Sequence, residues 1–179
     1  MTVGRIQRVL ALALVAFVAA VHATAVVQET ETSTRHLQIV NFREELVDAV
    51  NAKRAERGLT AFCINRKLMT AAQVQSNDMA TNSFVKTTGS DASTPKTRAI
   101  AQGMNTTSVT EIVGAGYKTV DTILAAWLKS SHSNSTIYSS RAFIGPGYTY
   151  DASKKYVHYW TLDFSNGQGE VCENATTTS

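Results

Sequence analysis

The chain has 179 residues, 44% of them apolar and 17% charged, with a formal net charge of +3 and two cysteines. Arg5 and Arg8 lie in the N-terminal stretch, so the charge beyond it is close to +1 and no long basic run remains. That excludes nucleic acid as an expected partner.

Residues 1–23 read as a secretory signal. Arg5 and Arg8 form its basic start and Leu10 to Val21 its apolar run. Val21-His22-Ala23 offers a cleavage site, with Ala23-Thr24-Ala25 as a second. An uncleaved anchor is the alternative, but the apolar run is short for a membrane span. Cleavage leaves about 155 residues, enough for one domain with a real core, and nothing later is apolar enough to cross a bilayer. The mature chain is therefore expected to be soluble. In an oxidising compartment Cys63 and Cys172 are most simply one disulfide, the alternative being two buried thiols. Three sequons begin at Asn105, Asn134 and Asn174.

Residues 24–40 form a Thr/Glu-rich, aperiodic lead-in. A first helix starts at Phe42, with Leu46, Val47, Val50 and Ala55 at helical spacing. Gly58 stops it and Leu59 supplies an apolar contact just beyond. Asn65 caps a second helix whose stripe is Leu68, Ala72, Ser76 and Met79; the small residues on it predict close packing. Ser83 to Thr110 reads as loop with a short helix near Thr97 to Gln102. A third helix covers Val120 to Lys129 and buries Ile123, Leu124, Trp127 and Leu128. A Ser/Asn-rich stretch follows, Ser130 to Ser140. Two strands, Phe143 to Tyr150 and Tyr156 to Phe164, flank a turn at 151–155. The second strand has bulk on both faces and reads as central. Pro146 lacks an N–H and marks an edge or a bulge in the first. Helices early and strands late argue for an α+β domain.

The ordered motifs resemble the CAP superfamily, the SCP domain of cysteine-rich secretory proteins, antigen 5 and pathogenesis-related class one proteins, in its compact microbial branch. They are Asn51-Ala52-Lys53-Arg54, Gly58-Leu59, Asn65, Leu68, Ala71-Ala72, Asp78-Met79-Ala80, Gly89-Ser90-Asp91 with Arg98 and Gly103, Glu111 with Gly116, Trp127 with His132, Gly145-x-Gly147 and Tyr159-Trp160-Thr161. The resemblance runs from Phe42 to Phe164. It implies a CAP domain over 41–172, a polar tail over 173–179, and a three-layer α-β-α sandwich with a central, mostly antiparallel sheet. It also implies a secreted protein with no settled enzymatic activity, expected as a monomer that binds sterols, other lipids or an extracellular or host protein.

Many members carry two His and two Glu around a cleft, sometimes with a divalent metal. Glu111 and His132 match half of that tetrad; Lys86 and Ser130 stand at the substituted positions, and Ile112 replaces an expected Asn. Weak binding of a divalent metal such as zinc would rest on Glu111 and His132, with His158 as a candidate third ligand; stable zinc sites normally need three protein ligands. Without metal, His132 would hydrogen-bond Glu111 or backbone. Ser130, Ser131 and Ser133 neighbour His132, but sequence adjacency does not make a catalytic dyad, so no catalytic residue is assigned. A metal-dependent or serine hydrolase using Glu111 and His132 is the alternative function. Lys86 reads as a solvated lysine or an anion contact. Trp127, Trp160, Tyr156 and Tyr159 read as core in preference to a ligand site. Arg35-His36-Leu37-Gln38 with Arg43-Glu44-Glu45 loosely resembles the leader of secreted pathogen effectors, a further alternative, although Arg43 to Leu46 equally begins the first helix.

Overall fold

The computed structural model describes residues 33–34 and 42–173. The chain divides into units 1–38 and 39–179; of the first, only Ser33 and Thr34 are described, both helical. The signal segment, most of the lead-in including Arg35 to Gln38, and Asn174 in the tail lie outside the described residues.

Helix α1, residues 42–55, buries Leu46, Val47 and Val50. It stops where expected: Gly58 sits at φ +67, a left-handed conformation that favours glycine, and its N–H donates to the Ala55 carbonyl at 2.9 Å. Two details differ from the sequence reading. Leu59 is 37% exposed, so it adds no buried contact. Ala55 is exposed and Arg54 is buried. Arg54 is tolerated there because its guanidinium donates to the carbonyls of Thr60, Ile137 and Ser139 and lies 3.6 Å from the Phe62 ring centroid.

Strand β1, Cys63–Ile64, leads into α2, Arg66–Asn82. The Asn65 side chain accepts from Leu68 N at 3.1 Å, the expected cap. Leu68, Ala72, Ser76 and Met79 are all buried in a helix that packs on β3 and β4. The small-residue stripe has a specific counterpart. A Cβ added at Gly145 would lie 2.3 Å from backbone of Leu68, and one at Gly147 2.4 Å from backbone of Ala72. The Gly-x-Gly pair thus lets helix backbone rest directly on the strand.

Helix α3, Pro95–Ala101, starts two residues before the expected position because Pro95 fills the first turn and Thr94 with Thr97 forms a capping box. Strand β2, Val109–Ala115, begins at the end of the segment read as loop and runs through residues that the sequence reading left without an element. After α4, Val120–Lys129, comes a short helix read only as polar chain: α5, Ser131–Ile137. Ser130 ends α4 and caps α5. Strands β3, Phe143–Tyr150, and β4, His158–Ser165, complete the sheet. β4 starts two residues late because Val157 takes φ 64, a left-handed turn conformation that a strand cannot contain.

The sheet order is β1-β3-β4-β2, antiparallel except for the β1–β3 pair. β4 is central. Pro146 lies on the outer edge of β3 beyond the two residues of β1. There the Gln73 amide acts as a substitute strand: its Oε1 accepts from Tyr148 N at 3.1 Å and its Nε2 donates to Tyr148 O at 3.0 Å. Side chains from α1, α4 and α5 share one core with Ile112, Ile144, Trp160, Leu162 and Phe164. α2 and α3 cover the opposite face, with Leu68, Ala71 and Ala99 in one cluster and Met79 and Ala80 against Tyr159 in another. The architecture is an α+β, three-layer α-β-α sandwich.

Cys63 and Cys172 form a disulfide with Cα atoms 5.5 Å apart. It pins the segment after β4 to β1, where Glu173 N donates to Ile64 O at 2.8 Å. The Cys172→Ser variant is expected to lose roughly 4 kcal/mol, since the bridge closes a loop of about a hundred residues. Gly147→Ala should lose roughly 1–3 kcal/mol, because its methyl meets helix backbone that cannot rotate away. Urea unfolding monitored by tryptophan fluorescence checks both; wild-type stability in Gly147→Ala would disprove the close packing.

Candidate functional site

Alternation along β2 sends Ile112 into the α1 core and Glu111 to the α2/α3 side. Glu111 meets Arg98 from α3: Nη2 donates to Glu111 Oε2 at 2.7 Å, with side-chain exposures of 4% and 0% for Arg98 and Glu111. The same Nη2 donates to Thr87 O at 3.0 Å, and Nη1 donates to Ser93 O and Ser93 Oγ at 3.2 and 3.1 Å. Directly opposite Glu111 in the β2–β4 register is Asp163, fully buried. Gln75 of α2, also fully buried, donates its Nε2 to Lys86 O at 2.6 Å.

This cluster sets one cation against two carboxyl groups. With both ionised, a net negative charge would sit away from water, which is costly. Burial, then the Glu111 charge and hydrogen bond, push Asp163 well above the ordinary carboxylate range, with Arg98 opposing. Burial also raises Glu111, while the hydrogen bond to Asp163 and the Arg98 charge pull it down. Both carboxyls are raised, Asp163 the further, so a proton taken up by the pair is favoured on Asp163. Glu111 Oε1 and both Asp163 oxygens are buried without a hydrogen-bond partner among the described residues, as are Gln75 Oε1, Arg98 Nε and Thr161 Oγ1; a proton held between the two carboxyls would supply one.

The expected tetrad positions do not gather around Glu111. His132 is exposed on α5, whose Ile137 belongs to the core on the other face of the sheet. Only the His132 backbone carbonyl is engaged, by Ser135 Oγ and Thr136 Oγ1. The polar partners of Glu111 are Arg98 and Asp163, not His132. Ser130 is a helix cap rather than a cleft residue. Lys86 is exposed, and the loop carrying it is tied down through its backbone. His158 is turned to the far end of β4. Its Nδ1 lies 2.7 Å from the Tyr148 hydroxyl, the tautomer deciding which of the two donates, and burial, then Lys118, lowers its pKa. These residues do not fit a divalent metal: a guanidinium occupies the Glu111 carboxylate. Among the described residues no group of three or more His, Cys, Asp or Glu is placed to hold an ion.

Trp127 and Trp160 are core residues whose indoles donate to Val113 O and Tyr117 O at 3.0 and 2.8 Å. Tyr159 is buried, and Tyr156 packs edge-on against it at 5.9 Å. Asn105 is exposed, whereas Asn134 commits its Nδ2 to Leu128 O at 2.9 Å. Sequence reasoning misses Asp163 and Gln75 as site residues and places Arg98 only within a loop motif. The period-two alternation of β4 puts Asp163 opposite the Trp160 face, but its partner stays hidden until β2 is known.

A separate cavity of about 460 Å³ opens beside β1, lined by Arg43, Glu44 and Asp48 of α1 with Ile64, Met69, Pro146 and Glu173.

The model of the cysteine-rich secretory protein family, CAP, matches residues 47–164. The chain belongs to this family. It is similar in fold to an extracellular SCP-domain protein of Bacillus anthracis str. Ames: 17% identity, TM-score 0.62, 70% of this chain and 40% of that one. It is similar to an outer surface protein of Borrelia burgdorferi: 18% identity, TM-score 0.62, 70% and 92% covered. A cysteine-rich secretory protein of Staphylococcus aureus Mu50 gives 23% identity and TM-score 0.59, over 72% and 39%. The chain thus spans about two fifths of the Bacillus and Staphylococcus proteins. No curated protein matches it by sequence.

Arg98→Ala leaves Glu111 buried without its cation and should cost roughly 3–5 kcal/mol. His132→Ala, on an exposed surface, should stay within about 0.5 kcal/mol of wild type. Denaturant midpoints read both; a large loss from His132→Ala would show that the imidazole is bound into the fold.

Proposed function

We propose that the chain is a secreted, non-enzymatic CAP domain that works outside the cell by binding, with a protein surface as its partner in preference to a sterol. The observation that carries this is the sealed Glu111 site. Hydrolysis needs a nucleophile, a base and a group to stabilise developing charge, all within reach of substrate. Here the carboxylate is buried against Arg98, the imidazole of His132 is exposed on another layer, and Ser130 is a cap.

Secretion is supported by the signal-like N-terminus, by the disulfide, which fits an oxidising compartment, and by the extracellular and outer-surface descriptions of two structural neighbours. The preference for protein is supported by the cavity beside β1. Three carboxylates and an arginine line it beside Ile64, Met69 and Pro146, whereas a sterol favours walls that are apolar almost throughout. The same contacts would serve an effector delivered into a host cell, and the location of a tagged protein separates the two.

Titration with fluorescent sterol is expected to show no saturable binding at micromolar protein, and ester and peptide probes no turnover above buffer. Saturable sterol binding would overturn the choice of partner. Turnover lost in both Glu111→Ala and His132→Ala would overturn the non-enzymatic reading.

A further inference from the structure

We propose that the cavity beside β1 receives a lysine or arginine side chain of a partner protein, with Glu44 and Asp48 taking the cationic head and Ile64, Met69 and Pro146 the aliphatic stem. The proposal rests on the reading above that the partner is a protein, and it names the chemistry by which that protein is recognised. At about 460 Å³ the cavity has room for one long side chain. Such stems lie along apolar surface while their charged heads stay near water.

The cavity marks a gap in the sheet edge. β1 has two residues, paired with Phe143 and Ile144, and the chain then turns into α2. Along β3, backbone groups that face outward alternate with those that face β4. Asn65 N donates to Ile144 O at 3.0 Å, and Gln73 Nε2 donates to Tyr148 O at 3.0 Å. Between them Pro146 has no N–H, and its carbonyl meets no donor among the described residues. An arriving strand would find one acceptor and no donor there, so the edge resists strand pairing. A side chain that brings N–H donors and no acceptor suits it, and that describes lysine and arginine.

The charges select the same partner. Of the groups lining the cavity, the Arg43 guanidinium is engaged with Gln73 Oε1, and Glu173 pairs with Arg66 at 3.1 Å. Glu44 and Asp48 are exposed and make no ion pair among the described residues. They stand one turn apart on α1, a spacing at which like charges destabilise a helix. The positions three and four residues beyond Glu44, Glu45 and Asp48 hold Val47, Asp48, Ala49, Asn51 and Ala52, so no cation of the helix offsets them. Carboxylates in a first turn favour the positive end of the helix dipole, which accounts for Glu44 and Glu45. Asp48 lies beyond that turn. A shallower groove lined by Glu44, Glu45, Asp48, Ala49 and Ala52 shares two of these carboxylates. A segment seated in the cavity therefore meets further negative charge and small side chains along α1.

Amide NMR of the full chain tests the proposal by titration with a capped glycine pentapeptide carrying arginine at its centre. The control peptide carries citrulline, which keeps the shape and loses the charge. The expected result is saturable movement of the Glu44, Asp48, Ile64 and Met69 signals at millimolar arginine peptide, weaker as salt is raised, and none with citrulline. The double variant Glu44→Gln with Asp48→Asn alters exposed side chains, so it should keep the wild-type denaturation midpoint while binding the arginine peptide at least about fivefold more weakly. Equal binding of the two peptides, unchanged affinity in the double variant, or no movement at these residues overturns the proposal. Movement of the same signals in Arg35→Gln without peptide would give the cavity to the chain's own lead-in, and overturns it too. The protein reading itself fails by a different result, saturable sterol binding; loss of the arginine effect alone leaves it standing.

Discussion

Contact of α2 backbone with the β3 glycines sets the depth of the whole α2/α3 layer. At Gly145 and Gly147 no side chain separates helix from strand, so α2 lies lower on the sheet than ordinary residues would allow. The consequences run along the register. Gly145 is opposite Asp163, which is opposite Glu111, and Gly147 is opposite Thr161. Lowering the helix onto the glycines therefore excludes water from the polar residues in the next two strands. It also brings Gln75 over the loop after α2, and α3, packed on α2, carries Arg98 to Glu111.

With Arg98 as its one cation, a pair of carboxyls shut in this way is neutral overall when it holds one proton. The fixed fork of donors explains why an arginine is suited to the place: it meets a carboxylate and three loop acceptors at once. A lysine could offer the charge but not that geometry. The cluster consequently joins three parts of the fold that are far apart in sequence, β2, β4 and the loop ahead of α3, by electrostatics instead of apolar contact.

The helices with strong periodicity or clear caps were legible from sequence: the start of α1, the Asn65 cap, the bounds of α4, and the stop at Gly58. So were the central position of β4 and the edge position of Pro146. The failures share a cause. β2 is short, half polar and interrupted by Gly114, and its identity as a strand depends on pairing with β4, a partner fifty residues later. α5 consists largely of Ser, Asn and Thr and exists because Ser130 caps it and Ile137 anchors it. Neither signal is local. The site suffered most, since its members come from α2, α3, β2 and β4. Resemblance drew attention to Glu111 and His132, the residues a tetrad needs, and away from Arg98 and Asp163, which the charge of a buried Glu111 requires.

That requirement bears on what a buried glutamate needs. An uncompensated charge inside the fold is among the most destabilising features a protein can carry. Lys86, at one substituted position, is exposed and too far into solvent to serve. Compensation comes instead from Arg98, which faces the pair from α3. The burial of Glu111 is thus explained by the charge and donors that its neighbours set around it.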